Sequence, residues 1–110
     1  MSTHLTSGYD GYIGQLQDCQ TACTDTLAAT NGDEACHHSL SQCAAALRDA
    51  VAAMQTHADY AGRALVDAAD ACELVADRCG EATNETARQT AELCRTTVDV
   101  CRRASLVGVD

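Results

Sequence analysis

Eight cysteines are the residues of this chain whose type and spacing could do chemistry. Four lie in the stretch ACELVADRCGEATNETARQTAELCRTTVDVC, where Cys72, Cys79, Cys94 and Cys101 are separated by seven, fifteen and seven residues. Cys19, Cys23, Cys36 and Cys43 precede them, the last two again seven apart. Seven residues of helix are two turns, about 10.5 Å of rise. Two thiolates on one zinc ion, each with Zn–S near 2.3 Å, stand no more than about 4.6 Å apart. An i, i+7 pair therefore cannot share an ion or bond to itself. Each member must meet sulfur on another helix. Cys19 and Cys23 differ, because i, i+4 residues sit one turn apart, about 6 Å, and can converge on one ion.

Other reactive residues offer less. The string Glu34-Ala-Cys-His37 is a single E-x-x-H, whereas a di-iron bundle needs two such motifs and two further inward glutamates. There is no C-x-x-C redox motif and no cysteine–histidine pairing that argues for nucleophilic catalysis, so the chain reads as a non-enzyme. His37 and His38 follow Cys36 and read either as solvated residues or as accessory metal ligands at the cysteine-rich end. Met54 reads as core, and Arg95, Arg102 and Arg103 as a solvated face that complements the C-terminal end of the last helix.

The elements that must position these sulfurs are helices. Apolar residues recur at helical spacing from about Tyr9 through Tyr12, Leu16, Cys19, Cys23 and Leu27, and Asn31-Gly32 ends the run. Asp33 reads as the N-cap of a second helix carrying Cys36, Leu40, Cys43, Leu47, Val51 and Met54. A connection around THADYAGR leads to a third helix from about Ala64, with Leu65, Ala68, Cys72, Val75 and Cys79. Gly80 and EATNE form a turn, with Thr83 or Asn84 capping a fourth helix through Ala87, Ala91, Cys94, Val98 and Cys101. The expectation is an all-α fold, an antiparallel four-helix bundle with inward-facing cysteines, over residues 9–105. Residues 1–8 form a disordered tail and residues 106–110 a frayed end.

Counting from the turns estimates the level of each sulfur. A bend at Asn31-Gly32 puts Cys19 opposite Cys43, Cys23 opposite Leu40 and Cys36 opposite Leu27. A bend near Ala82 brings Cys72 level with Cys94, so Cys19, Cys43, Cys72 and Cys94 share one layer. Cys23, Cys36 and Cys79 lie nearer the end and Cys101 deeper. A rival bend four residues later would pair Cys72 with Cys101 and Cys79 with Cys94 as disulfide staples. Gly80 and Thr83-Asn84 are better turn formers, which favours the first alignment.

Composition sets the class. The 110 residues contain no proline, tryptophan or phenylalanine and only three tyrosines, so the core is thin and the helices must approach closely. A formal net charge of −9, with arginine as the only cationic side chain apart from histidine, repels phosphate backbones and anionic lipid. Nucleic acid and membrane are excluded as partners. The opening MSTHLTSGYDGY has neither a basic nor an apolar signal region, and no apolar run reaches membrane length. The reading is cytoplasmic, where thiols stay reduced and clustered cysteines mean metal rather than disulfides. An alanine stripe, Ala44, Ala45, Ala52 and Ala53, offers a surface for a homo-oligomer.

From about Gln15 to Arg103 the chain resembles the cysteine-rich four-helix-bundle family that includes the bacterial copper storage proteins. CQTACTDTL resembles that family's opening helix, CAAALRDAVAAM its second, and ADACELVADRCGE with TAELCRTTVDVCRR its last two. The resemblance implies a tube of inward thiolates that binds many Cu(I) ions. The family's fuller pattern would place cysteine where this chain has Leu47, Ala68, Val75, Thr90 and Thr97, so a smaller capacity is implied and only Cys19/Cys23 keeps its intrahelical spacing.

The chemistry of the residues agrees. Soft thiolates select Cu(I) and zinc over hard cations, and eight inward cysteines exceed what inert packing needs. The expected metal ligands are Cys19, Cys23, Cys36, Cys43, Cys72, Cys79, Cys94 and Cys101, holding several Cu(I) for storage or buffering. The alternatives are a zinc-stabilised structural or interaction bundle and a disulfide-stapled bundle without metal. An iron–sulfur cluster ranks third among metals, since its ligands usually come from loops.

Overall fold

The computed structural model describes residues 8–29, 34–81 and 84–107. It contains four α-helices: α1 (Asp10–Ala29), α2 (Glu34–Gln55), α3 (Ala61–Cys79) and α4 (Glu85–Ala104). Among the described residues there is no strand. Each helix packs against its chain neighbours, and α1 also packs against α4, which closes the four into a bundle.

Buried positions advance by alternate steps of three and four. In α2 they include Cys36, Leu40, Cys43, Leu47, Ala50 and Met54, and in α3 Ala61, Leu65, Ala68, Cys72, Val75 and Cys79. A 3.5-residue period keeps one stripe facing the bundle axis along the whole helix, as in coiled-coil packing. Alanine fills many of the remaining inward sites, and a small side chain lets neighbouring backbones come close. All eight cysteines lie on these stripes at 0 % exposure, as the helical spacing requires.

Interhelical partners run in opposite numerical order along the α2–α3 and α1–α4 seams. On α2 and α3, Cys36 meets Cys79 and Cys43 meets Cys72. On α1 and α4, Gln15 meets Thr97, Cys19 and Cys23 meet Cys94, and Thr26 meets Thr90.

The ends of the helices follow from local chemistry. Asn84 is extended and its side chain accepts a hydrogen bond from Ala87 N at 3.1 Å, so of the two caps the sequence offers for α4 it is Asn84 that serves. The α2–α3 connection turns at His57, whose φ of 53° is left-handed, and Ala58 N returns to Ala53 O at 2.9 Å. This turn lets α3 start at Ala61, three residues before the sequence expectation. The expected bends at Asn31-Gly32 and Ala82 and the Asp33 cap lie outside the described residues, as does most of the N-terminal tail.

Two arginines do more than solvate a face. Arg95 donates to Ala76 O at 3.3 Å near the end of α3 while pairing with Glu92, and Arg102 pairs with Glu73 of α3 at 3.0 Å. Gly80 makes room for the first of these, since a Cβ there would lie 2.8 Å from Arg95 Nη2 and 2.5 Å from Ala76 O. Of the alanine stripe expected outside, Ala53 is buried, Ala44 and Ala45 are half-buried and Ala52 is exposed.

Candidate metal centre

The sulfurs divide into a joined pair and a cluster. Cys36, on the first turn of α2, is bonded to Cys79, the last residue of α3. The other six are free thiols. The sequence expectation of reduced cysteines throughout does not extend to this one pair, which the α2–α3 register sets opposite each other with Cα atoms 5.1 Å apart. The staples of the rival hairpin, Cys72 to Cys101 and Cys79 to Cys94, are not formed.

Five sulfurs converge at the centre of the bundle. Cys19 Sγ lies 3.6 Å and Cys23 Sγ 3.9 Å from Cys94 Sγ, and Cys43 Sγ lies 3.5 Å from Cys72 Sγ. Every helix contributes at least one, and α1 contributes two because Cys19 and Cys23 are one turn apart. The expected layer of Cys19, Cys43, Cys72 and Cys94 is therefore present, with Cys23 added. The bend count sets Cys23 against Leu40; instead its sulfur lies with those of Cys43 and Cys94. Cys101, one step deeper, reaches the thiol of Cys72.

Two sets of three could hold an ion. In Cys19, Cys72 and Cys94, and again in Cys23, Cys43 and Cys94, all sulfurs lie within 4.8 Å of one another. With metal–sulfur bonds of about 2.3 Å, three trigonal ligands stand roughly 4 Å apart, so each triad fits one soft ion with little movement. Cys94 belongs to both.

The cluster is electrostatically unequal before metal arrives. The Cys23 thiol, followed by those of Cys43, Cys72 and Cys94, donates toward Cys19 and holds it well below the ordinary thiol value of 9.0. Sharing that thiolate pushes Cys23, Cys43 and Cys94 up, and burial adds to the rise. Cys72 is pushed up first by Cys101 and then by Cys19. One sulfur thus carries the charge that its neighbours solvate with S–H groups.

The chemical character of the site is set by what surrounds it. Leu16, Leu40, Leu47, Leu65 and Val75 are fully buried, and no carboxylate enters the core among the described residues. Hard cations find no carboxylate ligands there.

Comparison with known sequences agrees with this arrangement. The family described as copper storage protein matches residues 6–106. The chain belongs to that family. Copper storage is not an enzymatic activity, and neither a curated protein nor a solved structure matches the chain. In this copper storage family member, Leu47, Ala68, Val75, Thr90 and Thr97 are all buried, so the positions where the fuller pattern would have cysteine do face the core. No helix of the described residues is long and apolar enough to cross a membrane.

Buried Thr26, and the hydroxyl contacts that Thr26, Thr90 and Thr97 make, are features the sequence expectation does not contain, although it names Thr90 and Thr97. Thr26 and Thr90 share a hydrogen bond at 2.6 Å across α1 and α4, and Thr97 donates to Leu93 O while accepting from Gln15. Their spacing carries the signal. Thr26 follows Cys19 by seven residues, and Thr90 and Thr97 lie seven apart, as Cys94 and Cys101 do. His37 and His38 are both exposed beside Cys36, outside the six-sulfur cluster.

Proposed function

We propose that this protein stores or buffers Cu(I) in the core of an antiparallel bundle, with Cys19, Cys23, Cys43, Cys72 and Cys94 as the central ligands and Cys101 extending them. The observation that carries the reading is the pair of three-sulfur sets sharing Cys94. Three thiolates around a soft monovalent ion match the preference of Cu(I), and a shared thiolate lets two ions sit side by side without four sulfurs each. The opposite numerical order of partners on both seams supports the antiparallel arrangement. In the state described, Cys36 and Cys79 have no free thiolate to offer. The proposed place of work is the cytoplasm, where the six free thiols would stay reduced.

Titration of the protein with Cu(I) against a competing Cu(I) chelator tests this. At least two tightly held ions per chain are expected, one for each triad. Uptake of less than one would overturn the storage reading.

A further inference from the structure

Cys36 and Cys79 stand apart from the other six sulfurs in bonding and in place. They are joined to each other, whereas the shortest approaches in the cluster are sulfur contacts of 3.5–3.9 Å. They sit at the end of the α2–α3 seam, seven residues from Cys43 on one helix and from Cys72 on the other, about 10.5 Å along the bundle. We propose that the reduced Cys36/Cys79 dithiol is an electron donor that converts incoming Cu(II) to the Cu(I) held by the cluster, and that the disulfide is its product. This inference rests on the copper reading above.

The electron count fits the geometry. One dithiol and two Cu(II) ions give one S–S bond, two Cu(I) ions and two protons, because disulfide formation releases two electrons. The core offers two triads for the two ions. Choice of donor matters equally. A bond between Cys43 and Cys72 would remove a ligand from each triad, and a bond between Cys19 and Cys94 would also reach both. Oxidising Cys36 and Cys79 leaves every triad ligand free. His37 and His38, exposed on the same turn as Cys36, give the arriving Cu(II) imidazole ligands beside the donor. The reaction is stoichiometric, since each chain holds one such pair.

The test adds copper(II) sulfate to fully reduced protein under anaerobic conditions with no other reductant. Expected are loss of the Cu(II) paramagnetic resonance signal for about two equivalents, loss of two thiols, and a disulfide that peptide mapping assigns to Cys36 and Cys79. Cys36→Ser/Cys79→Ser should slow the loss of signal roughly tenfold or more, while the same variant takes up Cu(I) supplied directly as the wild type does. An undiminished rate in that variant, or a disulfide mapped to cluster cysteines, would overturn the proposal. Wild-type protein that binds supplied Cu(I) but leaves the Cu(II) signal intact sinks this inference alone. Failure to bind supplied Cu(I) sinks the copper reading itself.

Discussion

Cys43 Sγ and Cys72 Sγ stand 3.5 Å apart across the α2–α3 seam, yet they belong to different sulfur triads. Their contact, together with Cys94, ties the two triads into one connected body of sulfur. Loss of a single ligand should therefore be felt at more than one ion.

Cys94→Ser removes a ligand from both triads and should weaken Cu(I) retention at both sites by at least about tenfold, the low end of what even outer-sphere changes cost a metal site. Cys101→Ser, outside both triads, should cost less. Chelator competition on the two variants checks the order, and equal losses would contradict the shared role of Cys94.

Zinc should bind more weakly and be displaced by Cu(I). A structural zinc site closes with four ligands, whereas the sulfur sets here hold three. Addition of one equivalent of Cu(I) to zinc-loaded protein should release zinc, read with a colorimetric zinc indicator.

Reduced, metal-free protein should lose stability as pH rises past the ordinary thiol value of 9.0. Cys23, Cys43, Cys72 and Cys94 are pushed above that value in the fold. Unfolded thiols then release protons that the folded ones keep, so the unfolded state gains as pH rises. Cys19, pushed the other way, contributes stability that is complete above 9.0 and fades as pH falls through its lower folded value. Denaturant melts from about neutral pH to well above the thiol value should show a decline on the alkaline side that Cu(I) loading abolishes.

The stripe of every helix is legible because a core-facing residue recurs each three or four positions whatever its chemistry. That is why the helix order follows from spacing and the sulfur layer from spacing with the turn residues, which also narrow the α4 cap to Thr83 or Asn84. The depth of Cys23 is not, because counting from a bend assumes that both helices start level, and one turn of offset exchanges Leu40 for Cys43. The Cys36–Cys79 bond escapes for a different reason. Counting levels puts Cys36 and Cys79 near the same end, but a level does not fix whether two sulfurs there stay thiols or join, and the reading of a reducing compartment argued for thiols.

Thr26→Val should cost about 1–3 kcal/mol because it leaves the Thr90 hydroxyl buried without this partner, whereas Thr26→Val/Thr90→Val together should be nearly neutral. A double-mutant cycle by urea denaturation measures the coupling, and additive losses would show that the 2.6 Å contact contributes nothing of its own.

Reduction of Cys36–Cys79 should lower stability by about 2–4 kcal/mol, since the bond ties together residues 43 positions apart in the unfolded chain. Comparison of the oxidised protein with Cys36→Ser/Cys79→Ser in denaturant gives the value without touching the cluster thiols.

The hydroxyl contacts on the α1–α4 seam have a kinetic consequence. Their level brackets Cys19, Cys23 and Cys94, with Thr26 and Thr90 on one side and Gln15 and Thr97 on the other, while Cys101 lies one step beyond Thr97 on α4. Oxygen is a poor stepping stone for a soft cation, so one held by Cys19, Cys23 and Cys94 should meet resistance at both hydroxyl levels. On the opposite flank the next sulfur beyond Cys43 and Cys72 is the Cys36–Cys79 pair, two helical turns nearer the bundle's end, with buried Leu40 and Val75 between. A soft cation held by thiolates should therefore exchange slowly with that end as well.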